Sequence, residues 1–480
     1  MPFPFTPGLT EPRLVDLSDP SSDVLLDATR EALTEAVRAG DVDALAEIEG
    51  TFAAVARDGV TIRLARTIGR PLRYFVAKRA TGPYLVVADR IDAIARYCAE
   101  EGIDEQFHPS YTRMIPAHHL VELDQIGCPD PNPRYRRFFS PEAGRGPADR
   151  GALGERYVAA IESGAAALLS AIPREAPVGV ALSGGADSTL TAWAVLSAAK
   201  AEGREGRVRL FTLAIGDAAD RRAAEEVAAA LGARDRWTAI EASPDDLSLA
   251  AAVAAIEDYR PLDVQCAAAA LAFARNLRRA QPDLVALFDG DGGDENWKSY
   301  PIEDSELTIK SVLNNPLLYH EGWGIDSIKH SLTYTGGFSR GVVRGFAPAR
   351  AFGFTALSPH AMRPAIAAAL SAPLRELVGE DPARLLALKA EVAAAGLASR
   401  GIRLPIAPKR RFQHGALAPE LFGSLAASRA ELRAEHERRF GPRPEAAEDA
   451  PARGGAPTPI GTEFDRLMGA NGFGRDKVPA

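Results

Sequence analysis

Cysteine is scarce in this sequence and badly placed for structural chemistry: Cys98, Cys128 and Cys266 are widely spaced, odd in number and without a CxxC pair. That excludes a disulfide framework and a cysteine zinc site. No apolar run reaches the length of a membrane span, and the opening MPFPFTPGLTEPRL lacks a basic stretch followed by an apolar core. A cytoplasmic protein with no membrane partner is expected. A broad basic field is also missing, because 56 lysines and arginines stand against 64 aspartates and glutamates, a formal charge of -8. Nucleic acid is therefore not expected as the principal partner. Internal repeats are absent. Hydrophobic residues at 46% and charged residues at 25% nevertheless fit a folded globular chain.

At 480 residues the chain is too long for one ordinary core, so two domains are expected. Residues 1–145 read as short strands, turns and two helical stretches, DVLLDATREALTEAVRAG and RIDAIARYCAEEG. FAAVARDG and VTIRLART form a hairpin pattern around Asp58-Gly59, and PYLVVAD reads as a further strand. The Pro, Gly and Arg-rich CPDPNPRYRRFFSPEAGRGPADRG is the best linker candidate. From 146 to 440 helices and strands alternate as in a parallel α/β sheet, becoming mainly helical and irregular after Tyr300. In 441–480, the stretch Gly441 to Thr458 is rich in Pro, Ala, Glu and Gly and reads as a disordered spacer, and EFDRLMGANGFG as a short docking helix.

The most informative segment is VGVALSGGADSTLTAWAVL, Val178 to Leu196. Val178, Val180, Ala181 and Leu182 suit a buried parallel strand. Gly184 and Gly185 then let successive amides approach an anion, Ser183, Ser188 and Thr189 add hydroxyls, and a helix beginning near Ala186 contributes its positive end. This is a phosphate cradle. Asp187 would repel phosphates unless a cation intervened, which implies magnesium. The loop G-x-x-x-x-G-K-[ST] is absent, which argues against an ordinary γ-phosphate hydrolase or kinase. The segment instead resembles the SGGxDS loop of the ATP pyrophosphatases, which split ATP between the α and β phosphates.

Two further segments carry charge. FDGDGGDENWKSY crowds Asp289, Asp291, Asp294 and Glu295 around three glycines at a strand end, a repulsion that a metal ion would relieve. It lacks the spacing of a calcium loop. PKRRFQHG, Pro408 to Gly415, supplies three adjacent cations that could stabilise departing pyrophosphate. The histidines are scattered and read as structural.

With these elements in order, the chain resembles the asparagine synthetase family, including its β-lactam synthetase-like branch, over about Ala152 to Gly415. SGGADS matches the family's SGGxDS loop, FTLAIGDAADRRAAEEVAAALG its following strand and helix, and IEDYRPLDVQCA the segment across the substrate pocket. FDGDGGDENWKSY is similar to SGEGSDELFGGY, and PKRRF stands where the family has a lysine, two variable residues and phenylalanine. The resemblance implies an α/β fold: a parallel-sheet ATP pyrophosphatase synthetase domain, adenine nucleotide α-hydrolase-like. A smaller α+β domain, similar to a class II glutamine amidotransferase, precedes it. That smaller domain is expected to be degenerate, because the family nucleophile is a cysteine at the mature N-terminus and here Pro2 follows Met1.

Carried over residue by residue, the resemblance implies that Ser183, Gly184, Gly185, Asp187 and Ser188 bind ATP phosphates and that Asp187 and Asp294 hold magnesium. Leu182, Ile215 and Gly290 would contact the nucleoside, Lys409 the α-phosphate or pyrophosphate, and Asp291 would stand near the reacting carboxylate. Tyr259, Glu257 and Tyr300 are candidates for a general base, although helix or pocket packing accounts for each equally well. Two departures, FGFTALSPH in place of VEARVPFLD and Trp297-Lys298-Ser299 in place of glycines, fall near the acceptor pocket and argue against aspartate as substrate. The implied activity is an AMP-forming amide ligase joining a small-molecule carboxylate to an amine or ammonia without glutamine hydrolysis. Adenylation for sulfur or another nucleophile, and an inactive nucleotide-binding subunit, are the rivals. A homodimer is plausible for the family.

Overall fold

A computed structural model of the chain describes residues 13–79, 82–125, 133–300, 302, 308–315 and 340–441. Met1–Pro442 form one compact unit; the second unit, Arg443–Ala480, lies outside the described residues together with the spacer and docking helix expected there. Among the described residues no helix is long and apolar enough to cross a membrane.

The centre is a five-stranded sheet in the order Trp237–Glu241, Val208–Ala214, Val178–Ala181, Ala286–Phe288, Thr355–Leu357. Every pairing is parallel. Because side chains alternate along a strand, neighbouring residues serve opposite cores. Val180, Leu210 and Phe288 join one core with Ile161, Val195 and Leu388, while Phe211, Leu213 and Leu287 join the other with Ala267, Leu271 and Phe346. Helices therefore cover both faces, as an all-parallel sheet requires. The alternating pattern read after residue 146 corresponds to this sheet. Thr355–Leu357 is a strand that sequence reading placed in helical and irregular chain.

The helices Arg150–Ser170 and Pro382–Ala398 cross at two glycines: a Cβ on Gly154 would lie 2.6 Å from Gly396 N. That close crossing sets the depth at which the second helix reaches the sheet edge.

Ahead of this lie two four-stranded sheets. One runs Arg13–Asp16, Gly82–Ala88, Arg73–Arg79, Arg113–Met114, and the other Arg134–Arg137, His119–Asp124, Thr61–Arg66, Ala53–Asp58. Val55, Leu64, Tyr74, Leu85 and Val121 form a shared core for them. The hairpin expected around Asp58-Gly59 is present, with Asp58 opposite Thr61. Two readings are corrected. The helix read from Asp23 begins at Arg30, capped by Thr29, after a short strand Val24–Leu25. The segment read as a linker contributes the strand Arg134–Arg137, because its backbone pairs antiparallel with His119–Glu122. The two parts of the unit are joined by a buried ion pair, Arg73 to Glu257 at 3.2 Å, and by a half-buried one, Arg363 to Glu49 at 3.0 Å.

Candidate active site

Leu182 leaves the central strand with its amide on Phe211 O at 2.8 Å, and the chain then turns sharply. Gly184 has φ +81°, and a Cβ there would lie 2.7 Å from Ala223 Cβ, so glycine is required by both conformation and space. Ser188 Oγ accepts from Ser183 N at 3.1 Å and donates to Gly185 O at 3.2 Å, tying the loop to the helix it starts. That helix, Ala186–Ala201, has Gly185 at its N-cap and no side-chain cap. Its first amides are left for an anion, with the helix dipole behind them.

The acidic loop meets the cradle at Gly290, where a Cβ would lie 2.7 Å from Asp187 Cβ and 2.9 Å from Ser188 N. This approach brings Asp187 and Asp294 together around Lys389 of the Pro382–Ala398 helix, whose ammonium pairs with both carboxylates. Lys409 pairs with the other oxygen of Asp294. The Lys389 side chain is 4% exposed. Burial opposes the ionisation of Asp294, yet the ammoniums of Lys389 and Lys409 outweigh it and hold the carboxyl well below its usual range. Burial likewise opposes the charge on Lys389, and the two carboxylates raise its pKa above the usual lysine value.

On either side of Asp294 the loop carries further acidic groups. Asp291 N donates to Asp289 Oδ1 at 3.0 Å, and both carboxylates crowd against Gly345, where a Cβ would overlap the Asp291 carboxylate. Burial pushes Asp289 up to about 7. Burial, followed by the charges of Asp289 and Glu295, raises Asp291 well above the carboxylate range. Glu295 accepts a hydrogen bond from the Tyr300 hydroxyl. Arg344 directs Nε at 2.8 Å and Nη2 at 2.7 Å to Asp263 Oδ1.

These groups border one cavity of about 770 Å³ at the carboxyl edge of the sheet, where open α/β sheets bind ligands. Leu182, Ser183, Gly185, Asp187, Ser188, Gly290, Asp291, Asp294, Tyr300 and Lys409 all line it. Gly184 stands behind the lining, its carbonyl accepting from Ala407 N at 2.9 Å.

Three expected site residues lie elsewhere. Ile215 is fully buried, with its amide on Ala416 O and its carbonyl accepting from Ala418 N, both at 2.9 Å. Glu257 adopts φ 54° at the end of the helix Leu249–Ile256 and turns its carboxylate toward Arg73 and the amide of Ile91 at 2.6 Å. Tyr259 packs edge-on against His436, with ring centroids 5.4 Å apart. Sequence reading missed Lys389 and Arg344. Lys389 carried a signal, being a charge on the helix face otherwise made by Leu385, Leu388, Val392 and Ala393.

Among the described residues no group of three or more His, Cys, Asp or Glu side chains is arranged to hold a metal ion. Magnesium, however, typically takes one or two carboxylates and completes its shell with waters and phosphate oxygens. Asp187 and Asp294 fit that demand, since both already direct an oxygen at one cation, the Lys389 ammonium.

Fold and cavity together define an α/β protein with an anion cradle and paired lysines at the edge of a parallel sheet. Residues 166–352 match the family model for asparagine synthase. The match supports ATP-dependent amide ligation at the level of reaction class, with ATP as the nucleotide. No curated protein matches the chain.

Proposed function

We propose that the protein is an AMP-forming amide ligase that activates a small-molecule carboxylate with ATP and joins it to an amine or to ammonia. The observation that carries this reading is the convergence of the SGGADS cradle, Asp187, Asp294, Lys389 and Lys409 on one cavity. A carboxylate oxygen bonds to the α-phosphorus as the bond to pyrophosphate breaks. Ser183, Gly185, Ser188 and the helix amides hold the phosphates, and Lys389 and Lys409 offset the charge that gathers on the leaving group. Leu182 and Gly290, which line the cavity beside the cradle, would contact the nucleoside. Magnesium, held by Asp187 and Asp294, would neutralise phosphate charge.

The amine nitrogen then bonds to the acyl carbon, AMP departs, and one proton leaves the nitrogen. Asp291 is the group we assign to receive that proton, because its carboxylate lines the cavity beside the cradle and its amide is held by Asp289 Oδ1. Independence from glutamine is supported by Cys98, which is fully buried and whose thiol burial pushes up to about 11. Cys266, at the cavity, is also held at about 11, which disfavours a thiolate and hence a sulfur-carrying version.

The test is mass spectrometry of the purified chain with ATP, magnesium, ammonium and a pool of carboxylates and amines. AMP, pyrophosphate and a product of mass acid plus amine minus water are expected. Formation of ADP, or of AMP without any carboxylate requirement, would refute the reading.

A further inference from the structure

The cavity does not end at the nucleotide cradle. Past Asp289 and Asp291 it continues to a face of the helix Pro261–Ala280 made by Leu262, Cys266, Ala270 and Phe273. Leu287 of the sheet and Ala349 of the helix Arg340–Ala351 border the same space. All but Leu262 are buried, yet they line open volume. Water gains few partners against an apolar wall of this kind, so an apolar ligand that covers it is favoured. Small residues keep it open: Ala270 and Ala349 stand where larger apolar residues would close it.

The polar groups on this side are mainly acidic. Asp289, Asp291 and Glu295 stand beside Arg344, which directs two of its nitrogens to Asp263, while Arg411 and Gln413 also line the cavity and Gln413 Oε1 accepts from Cys266 Sγ. A ligand with a carboxylate at its far end would have to strip water from that charge against an apolar wall, with Asp289, Asp291 and Glu295 as its acidic neighbours. A ligand with one carboxylate, placed toward Lys389 and Lys409, and an apolar remainder meets no such penalty.

We propose that the acid substrate is an apolar monocarboxylate whose hydrocarbon body fills this chamber. The assignment rests on the ligase reading for the position of the reacting carboxylate, and it goes beyond that reading in naming the acid's class. Ala270 is the specificity-determining position, since it lines the cavity on the helix face that also carries Cys266 and Phe273, and a larger side chain there would take up space in the chamber.

The test uses the full chain with magnesium and a non-hydrolysable ATP analogue, and two probes differing only at the far end, octanoate and octanedioate. Calorimetry should show octanoate binding at least about tenfold more tightly. Ala270→Leu, and more strongly Ala270→Phe, should weaken octanoate by about tenfold or more while leaving affinity for the ATP analogue unchanged. Circular dichroism identifies the folded variants, and the two-probe comparison needs no variant. Equal or tighter binding of octanedioate, or unchanged octanoate affinity in folded Ala270→Leu, overturns the proposal. Failure of the ligase reading is separately visible. Octanoate selectivity with no AMP formed from any acid would leave the chamber assignment and remove the reaction; AMP formed with dicarboxylates in preference to apolar acids would do the reverse.

Discussion

Lys389 and Asp187 stand 202 positions apart in the chain and meet as an ion pair inside the cavity, where Asp294 shares the same ammonium. Three charges are thereby held together at the cavity wall, and each depends on the others.

Replacing Lys389 by methionine should therefore damage both folding and chemistry. Two carboxylates would be left close together without their shared cation, a loss of about 3 kcal/mol. Thermal denaturation should show a lowered Tm that magnesium with ATP partly restores. An unchanged Tm would mean that the carboxylates find other partners.

Gly345→Ala separates site geometry from stability. In the helix Arg340–Ala351 alanine gains about 1 kcal/mol over glycine, but its methyl would overlap the Asp291 carboxylate and turn it aside. We expect Tm to move little and kcat to fall by about tenfold or more. Full activity in the variant would detach Asp291 from the reacting centre.

Glu257 and Tyr259 should behave as structural residues. Glu257→Gln weakens a buried partner of Arg73 and should cost about 3 kcal/mol in urea denaturation. Tyr259→Phe should leave kcat within about twofold, since a lost chemical step would cost far more. A large fall in kcat for Tyr259→Phe at unchanged stability would return it to the list of bases.

Asp220 lines the cavity, is 7% exposed, and is pushed by burial up to about 7, with Arg410 acting in the opposite direction. For an acid whose folded pKa lies above its unfolded value, the folded state binds the extra proton. Stability is then highest below the unfolded value of 3.8 and declines as pH rises toward about 7. Asp289 acts in the same sense. Urea denaturation of the nucleotide-free protein should show this decline, and Asp220→Asn should reduce it by roughly 1–3 kcal/mol. An identical pH profile in the variant would dissociate Asp220 from the effect.

The cradle was legible in the sequence because its chemistry is local: one strand, one turn and one helix start supply Ser183 to Ser188. The acidic loop was legible for the same reason. Lys389 was not, because its place depends on the crossing of two helices at Gly154 and Gly396, a contact between distant parts of the chain. The strand Thr355–Leu357 is three residues long, too short for periodicity to register. Arg134–Arg137 was hidden by the proline and glycine around it. Glu257 and Tyr259 were chosen for nearness to the substrate segment, but a left-handed residue at the helix end turns Glu257 away from the cavity.

The segment carrying Lys409 is fastened at both feet. Ala407 N donates to Gly184 O at 2.9 Å on one side, and on the other Ile215 exchanges backbone hydrogen bonds with Ala416 and Ala418. The arch between those anchors is short, so the ammonium is confined before any nucleotide arrives. Most of the disorder that a free lysine would surrender at the moment of binding is surrendered when the chain folds. Lengthening the arch by a few glycines would hand that entropy loss back to the encounter with ATP, slowing the enzyme without altering a single group that touches its substrate.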